Sequence, residues 1–193
     1  GEDPDFLTSA WTIQVIRGVV LWLFSCALAW PLAVFYAEPQ ILQLLPVVGL
    51  TALIMGFATT KTATANRNLQ LGRQTAITLI TQGLGIVSMV ILALIWPSVW
   101  ALVAGSIIGA LAGVWAGHRY MPGVANRFRW DPSAAHDLMR FGRFIFVSTL
   151  AGFFVNQGDK VVLGKLVSFA DLGIYNIGFF MASFPLMLGG MVA

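Results

Sequence analysis

The 193-residue chain is 58% hydrophobic and only 10% charged, with a mean hydropathy of +0.83, far from the roughly 25% charged residues of soluble domains. Such a composition describes an all-α polytopic membrane protein. The net charge of +3 does not signal nucleic acid, because the basic residues lie between apolar runs and form no dense tract, and the single Cys26 excludes an intrachain disulfide or a cysteine-rich metal site.

In chain order, residues 1–10 place Glu2, Asp3 and Asp5 around Pro4, a polar lead-in with no fold of its own. No charge occurs from Gly18 to Ala37, and with Trp11 to Arg17 in front this predicts a first spanning helix, with Pro31 as a place for a kink. Glu38, Pro39 and Gln40 make a turn. A second span is expected from Ile41 to Thr60, where Pro46 lies near its start and Gly49 and Gly56 allow close packing, and a polar connector follows from Lys61 to Arg73. Gln74 to Gly117 then runs 44 residues without a charge, which is right for two spans. The break is Trp96–Pro97–Ser98–Val99–Trp100, a helix-stopping proline between two tryptophans of the kind that line membrane interfaces. The third span is therefore about Gln74 to Trp96 and the fourth about Ser98 to Gly117.

Arg119 to Arg143 is the longest polar segment. Asp131 followed by Pro132 has the form of an N-cap with proline at the first helical position, and Ala134, Leu138 and Phe141 recur at helical spacing. These features predict a short amphipathic helix on the membrane surface, with Trp130 and the arginines at headgroup level. A fifth span is expected from Phe144 to Gly164 and a sixth after Asp171. No basic n-region precedes an apolar run at the start, and the chain opens on Gly1 and stops within an apolar run at Ala193, so it reads as an internal piece of a longer protein.

If the connectors alternate sides, one side collects nine of the 11 basic residues, from Arg17 and Lys61 to Arg140 and Arg143, and the other keeps only Lys160 and Lys165. This asymmetry supports six spans with the basic loops in the cytoplasm.

No phosphate-binding glycine loop, metal-spaced histidine pair or nucleophile beside a histidine occurs, so no catalytic or metal site is expected. His118 reads as a helix-end residue and His136 as part of the surface helix. In the fourth span Gly105, Gly109, Gly113 and Gly117 recur every four residues, which strips one face of side chains and predicts a close helix seam. In the third, Thr78, Thr81, Gln82, Gly85 and Ser88 form a polar stripe, which serves either interhelical hydrogen bonds or the wall of an aqueous cavity. The fifth carries Ser148, Gly152, Asn156, Asp159 and Lys160 along one face. Charges inside a span cost roughly 2.5–3.5 kcal/mol and usually face a bundle interior or a watered cavity. Asp159 and Lys160, about 100° apart on a helix, either border such a cavity or snorkel outward near Lys165. Asn156, which carries the stripe deeper, favours the cavity. Gln14 and Arg17 share a face in the same way. Arg17 lies about 9 Å inside the first span if that helix starts at Trp11, where snorkelling and a lumen role are both open.

Three passages, "PDFLTSAWTIQVIRG", "WALVAGSIIGA" and "LMRFGRFIFVSTLAGFFVNQGDKVVLGKLVSFADLGIYNIGFF", resemble the polysaccharide-biosynthesis flippases of the multidrug/oligosaccharidyl-lipid/polysaccharide exporter superfamily. The third is the most specific, and the resemblance covers nearly the whole chain. It implies two six-helix lobes around a cavity that opens alternately to each side. Residues 1–118 would then be four helices of the N-terminal lobe, 119–143 the cytoplasmic interlobe connector, and 144–193 the start of the C-terminal lobe. It also implies an undecaprenyl-pyrophosphate-linked oligosaccharide as substrate, moved across the bacterial inner membrane without ATP or a cofactor. Membrane lipids and the polysaccharide polymerase machinery are the further partners. On that reading Lys160 and Arg17 neutralise the diphosphate, Asn156, Gln82 and Thr78 line the sugar path, and Asp159 pairs with Lys160 or senses protons. The alternatives are a drug/cation antiporter of the same superfamily, which should show an acidic cavity, and a non-transporting membrane subunit. A membrane-embedded glycosyltransferase would need catalytic carboxylates or a large outward loop, and the outward loops are short.

Overall fold

The computed structural model describes residues 4–62, 71–122, 128 and 132–192. Every regular element among them is helical: α1 (Pro4–Tyr36), α2 (Gln40–Gly56), α3 (Leu71–Ile95), α4 (Val99–Tyr120), α5 (Pro132–Leu166) and α6 (Phe169–Val192). The protein is therefore an all-α polytopic membrane protein. Among the described residues, three helical stretches are long and apolar enough to cross a membrane, Thr8–Tyr36, Gly72–Ile95 and Val99–Tyr120. With 17 residues, α2 is about 25 Å long, short of the roughly 30 Å hydrocarbon core.

Three expected boundaries move. The lead-in is not unstructured: α1 already begins at Pro4, where a missing N–H removes a donor that the first turn would leave unpaired anyway. The second helix stops at Gly56 rather than Thr60. Gln14 of α1 explains the early stop, because its amide Nε2 donates to the carbonyls of Met55, Gly56 and Ala58 at 3.2, 3.3 and 3.1 Å and satisfies the acceptors a helix end leaves open. Finally, the surface helix and the fifth span are one 35-residue helix, α5. No proline follows Pro132 in it, and a lone Gly142 costs only about 1 kcal/mol, so nothing breaks the helix. Residues 63–70, 123–127 and 129–131, including Arg67, Trp130 and the Asp131 cap, lie outside the described residues, as does the side chain of His136.

The chain forms two compact units, residues 1–141 and 142–193. In the first, α1 packs on α2, α3 on α4, and α2 on α4. Both hairpins are closed by small residues that let backbones meet. On α1 and α2, a Cβ added at Gly18 would fall 2.9 Å from Gly56 Cα and 3.0 Å from the Ala52 carbonyl oxygen. Further along, Trp22 Nε1–H donates to the Pro46 carbonyl at 3.2 Å and Ser25 Oγ–H to the Leu45 carbonyl at 2.7 Å. On α3 and α4 the expected seam is present and its register is antiparallel. A Cβ at Gly105 would lie 2.8 Å from Met89 N, one at Gly109 would lie 3.3 Å from Gly85 Cα, and one at Gly113 would lie 3.9 Å from Thr81 Oγ1. Each step of four forward on α4 is a step of four back on α3.

The turns follow from local chemistry. After α1 the chain reverses through Ala37 at φ 56°, and the Glu38 N–H donates to the Ala33 carbonyl at 3.0 Å, the helix-ending arrangement that usually recruits glycine. Ser98 caps α4 by accepting from the Trp100 N–H at 3.4 Å. At the other end of α4, Lys61 Nζ donates to the His118 carbonyl at 3.2 Å, a cation at the negative end of the helix dipole. His118 lies in the last turn of α4, as its sequence position predicts. On α1, Trp11 is buried and meets Phe57 edge-on and Phe128 at a tilt, with ring centroids 6.3 and 4.7 Å apart.

Candidate functional site

The first unit holds a cavity of about 770 Å³ walled by α2, α3 and α4. Gly105, Gly109, Gly113 and Gly117 of α4 all line it, and Gly113 leaves the most room, since an added Cβ there would have Thr81 Oγ1 at 3.9 Å as its nearest neighbour. The opposite walls carry Val48 and Met55 of α2 and Ile86 and Met89 of α3. Among the described residues, none that lines it is charged.

Thr78 and Gln82 both line this cavity. The two readings of the α3 stripe are separated by where its hydroxyls point. Thr81 donates within its own helix, to the carbonyls of Ile77 and Thr78 at 2.9 and 3.2 Å, and Ser106 does the same to Val103 at 2.7 Å. Thr51 and Thr62 also turn to local carbonyls, those of Val48 and Thr59, at 2.6 and 3.1 Å. Thr78, Thr81, Gln82 and Gly85 of the stripe therefore border a cavity, which Ser88 does not, and the Thr81 hydroxyl is not spent on a bond between helices. The stripe's hydrogen-bonding capacity is concentrated at one end of α3, on Thr78, Gln82 and a residue the sequence reading passed over, Gln74. The Gln74 side chain lines the cavity with its Oε1 buried and without a donor. An unmet buried acceptor costs about 1–3 kcal/mol, so a donor from water or a bound molecule is favoured there. The signal was present in the sequence, because the spacing of four that joins Thr78 to Gln82 extends back to Gln74.

Arg17 is exposed on α1 and does not line the cavity. Gln14 does not share a role with it, since its amide is used as the α2 cap.

The second unit carries the other candidates, on α5 and α6. Asn156 is exposed, and its Nδ2 donates to the Gly152 carbonyl at 2.7 Å. The expected pairing of Asp159 with Lys160 is not made. The Tyr175 hydroxyl donates to Asp159 Oδ2 at 2.6 Å, while Lys160 Nζ donates to Gln157 Oε1 at 2.8 Å and lies 4.8 Å from the Phe179 ring centroid. The reason is the helix angle that separates neighbours: each charge meets a different residue of the hairpin. Tyr175 and Phe179 are four residues apart on α6, with ring centroids 6.3 Å apart, so one face of α6 serves both charges. Sequence reasoning missed Gln157, Tyr175 and Phe179. Only Gln157 had a signal, its place three residues before Lys160, since partners on another helix leave none.

These arrangements provide an uncharged cavity with an amide-bearing end in one unit, and in the other a lysine that makes no direct ion pair with a carboxylate among the described residues. Comparison with known proteins gives a family. The family described as "Polysaccharide biosynthesis protein" matches residues 2–191. The chain is 25% identical over 187 residues to the succinoglycan biosynthesis transport protein ExoT of Rhizobium meliloti (strain 1021), covering 95% of this chain and 37% of that protein. It is also 25% identical over 174 residues to the amylovoran biosynthesis protein AmsL of Erwinia amylovora, covering 86% of this chain and 43% of that protein. The chain thus spans about two-fifths of the length of these relatives. No solved structure matches it.

Proposed function

Because this chain belongs to the polysaccharide biosynthesis protein family, we propose that it is part of a flippase that moves undecaprenyl-pyrophosphate-linked oligosaccharide across the bacterial inner membrane. In this reading residues 1–118 belong to one lobe, 119–143 connect the lobes on the cytoplasmic side, and 144–193 open the second lobe. The protein transports and performs no bond chemistry. The observation that carries the reading is the uncharged cavity edged by Gln74, Thr78 and Gln82. Sugar hydroxyls need amide and hydroxyl partners, whereas a diphosphate needs cations. The neutral saccharide therefore suits this cavity, and the diphosphate is assigned to Lys160 and Arg17, with Asn156 a further sugar-binding candidate within the second unit. The relative from Rhizobium meliloti, named a transport protein for succinoglycan biosynthesis, supports the same class of cargo.

An exporter of organic cations would instead call for carboxylates in the cavity, and none lines it among the described residues. The test is polymer export in cells carrying Lys160→Ala or Arg17→Ala in the full-length protein, with membrane levels checked. Each change is expected to lower export at least severalfold. If both leave export at the wild-type level, the assignment is wrong.

A further inference from the structure

Asp159 and Lys160 are adjacent in sequence and of opposite charge, and still they do not pair. Neighbouring residues leave a helix about 100° apart, but a lysine stem is long enough to bend toward an unrestrained carboxylate, which would then compete with any anion that approaches. The hairpin of α5 and α6 adds contacts that hold the two heads apart. Tyr175 holds the Asp159 carboxylate through a 2.6 Å hydrogen bond, and the Phe179 ring with the Gln157 carbonyl oxygen holds the Lys160 ammonium. Neither Gln157 nor Phe179 carries charge, so Lys160 is held without a direct carboxylate partner, and Asp159 offsets its charge only weakly, through space.

We propose that Tyr175 is a positioning residue that keeps Asp159 off Lys160, so that Lys160 stays available to a pyrophosphate-bearing lipid. The inference rests on the proposed flippase reading and adds to it how the site selects its anion. A quadrupole holds a cation more weakly than a carboxylate does, and it yields when a doubly charged phosphate arrives. Phe179 and Gln157 therefore act as a resting place that the ligand can displace. Asp159, in contrast, must be restrained by a bond of its own. Tyr175 supplies this bond from the neighbouring helix, where the geometry of α5 alone cannot undo it.

The experiment measures binding of farnesyl pyrophosphate, a short polyprenyl pyrophosphate, to the full-length protein in lipid nanodiscs. Lys160→Ala is expected to weaken binding, and Tyr175→Phe is expected to weaken it roughly three- to tenfold by releasing Asp159. Adding Asp159→Asn to Tyr175→Phe should restore most of the lost affinity, because an amide cannot neutralise Lys160. Asp159→Asn alone should raise affinity above the wild type. A purely structural hydrogen bond would give the opposite pattern: the double variant would bind no better than Tyr175→Phe, and Asp159→Asn alone would weaken binding. Either result overturns the inference, and Asp159→Asn alone decides the matter if Tyr175→Phe fails to fold. If Lys160→Ala binds the probe as well as the wild type, the assignment of the diphosphate to Lys160 falls as well. If Lys160→Ala weakens binding and only the Tyr175 arm fails, the flippase reading survives without the positioning role.

Discussion

Glycine has opposite consequences in the two units. In residues 1–141, Gly72 and Gly83 are open, but the other described glycines mostly sit where backbones touch: Gly18 meets Gly56, Gly85 meets Gly109, and Gly105 sits against the backbone of Met89. In residues 142–193, Gly152, Gly158, Gly173 and Gly178 have nothing within 4 Å of an added Cβ, and α5 and α6 are joined by the long side chains of Asp159, Lys160, Tyr175 and Phe179. A small residue is thus a licence for close approach that only a matched partner in register uses. The first unit is held by shape, and the second, as far as described, by a few polar and aromatic contacts.

This contrast is sharpest when the same substitution is made in both units of the full-length protein and thermal stability is measured in detergent. Gly105→Ala places a Cβ against the Met89 backbone, which cannot swing aside as a side chain tip can, and should cost about 1–3 kcal/mol. Gln14→Leu comes next. It leaves the Gly56 and Ala58 carbonyls without this donor, while the Met55 carbonyl keeps the Ala58 N–H at 3.0 Å, with a loss of about 1–2 kcal/mol and faster amide exchange through residues 55–60. Gly173→Ala should move stability the other way, by about 0.5–1 kcal/mol, because an open helical glycine only costs backbone entropy. If it destabilises as much as Gly105→Ala, the contrast between the units is false. The smallest effect is expected from Ala37→Gly, a gain of about 0.5 kcal/mol, as relief from the left-handed φ slightly outweighs the added chain entropy.

Much of this organisation could be read in the residues. The charge-free runs marked α3, α4 and the end of α1 to within a few residues, though not the start of α1 at Pro4, and the four-residue spacing of Gly105 to Gly117 announced the seam. Features that depend on a distant partner could not be read. Gln14 ends α2 from 41 residues away, and Tyr175 claims Asp159 from 16 residues away. Periodicity along one helix carries no trace of either. The unbroken α5 was missed for a different reason: a change from polar to apolar composition looks like a boundary, although the backbone needs a proline or a cap to stop. For the polar stripe on α3 the sequence left two uses open, and the rotamers of Thr81 and Ser106 decided between them.

The most direct measurement is flipping itself, with the full-length protein reconstituted in liposomes with a fluorescent polyprenyl-pyrophosphate saccharide and the outward-facing label quenched chemically. The account predicts protein-dependent loss of protected label that slows severalfold in Lys160→Ala and in Gln82→Leu. Label that stays protected with the wild-type protein, or moves as fast in both variants as in the wild type, would contradict it.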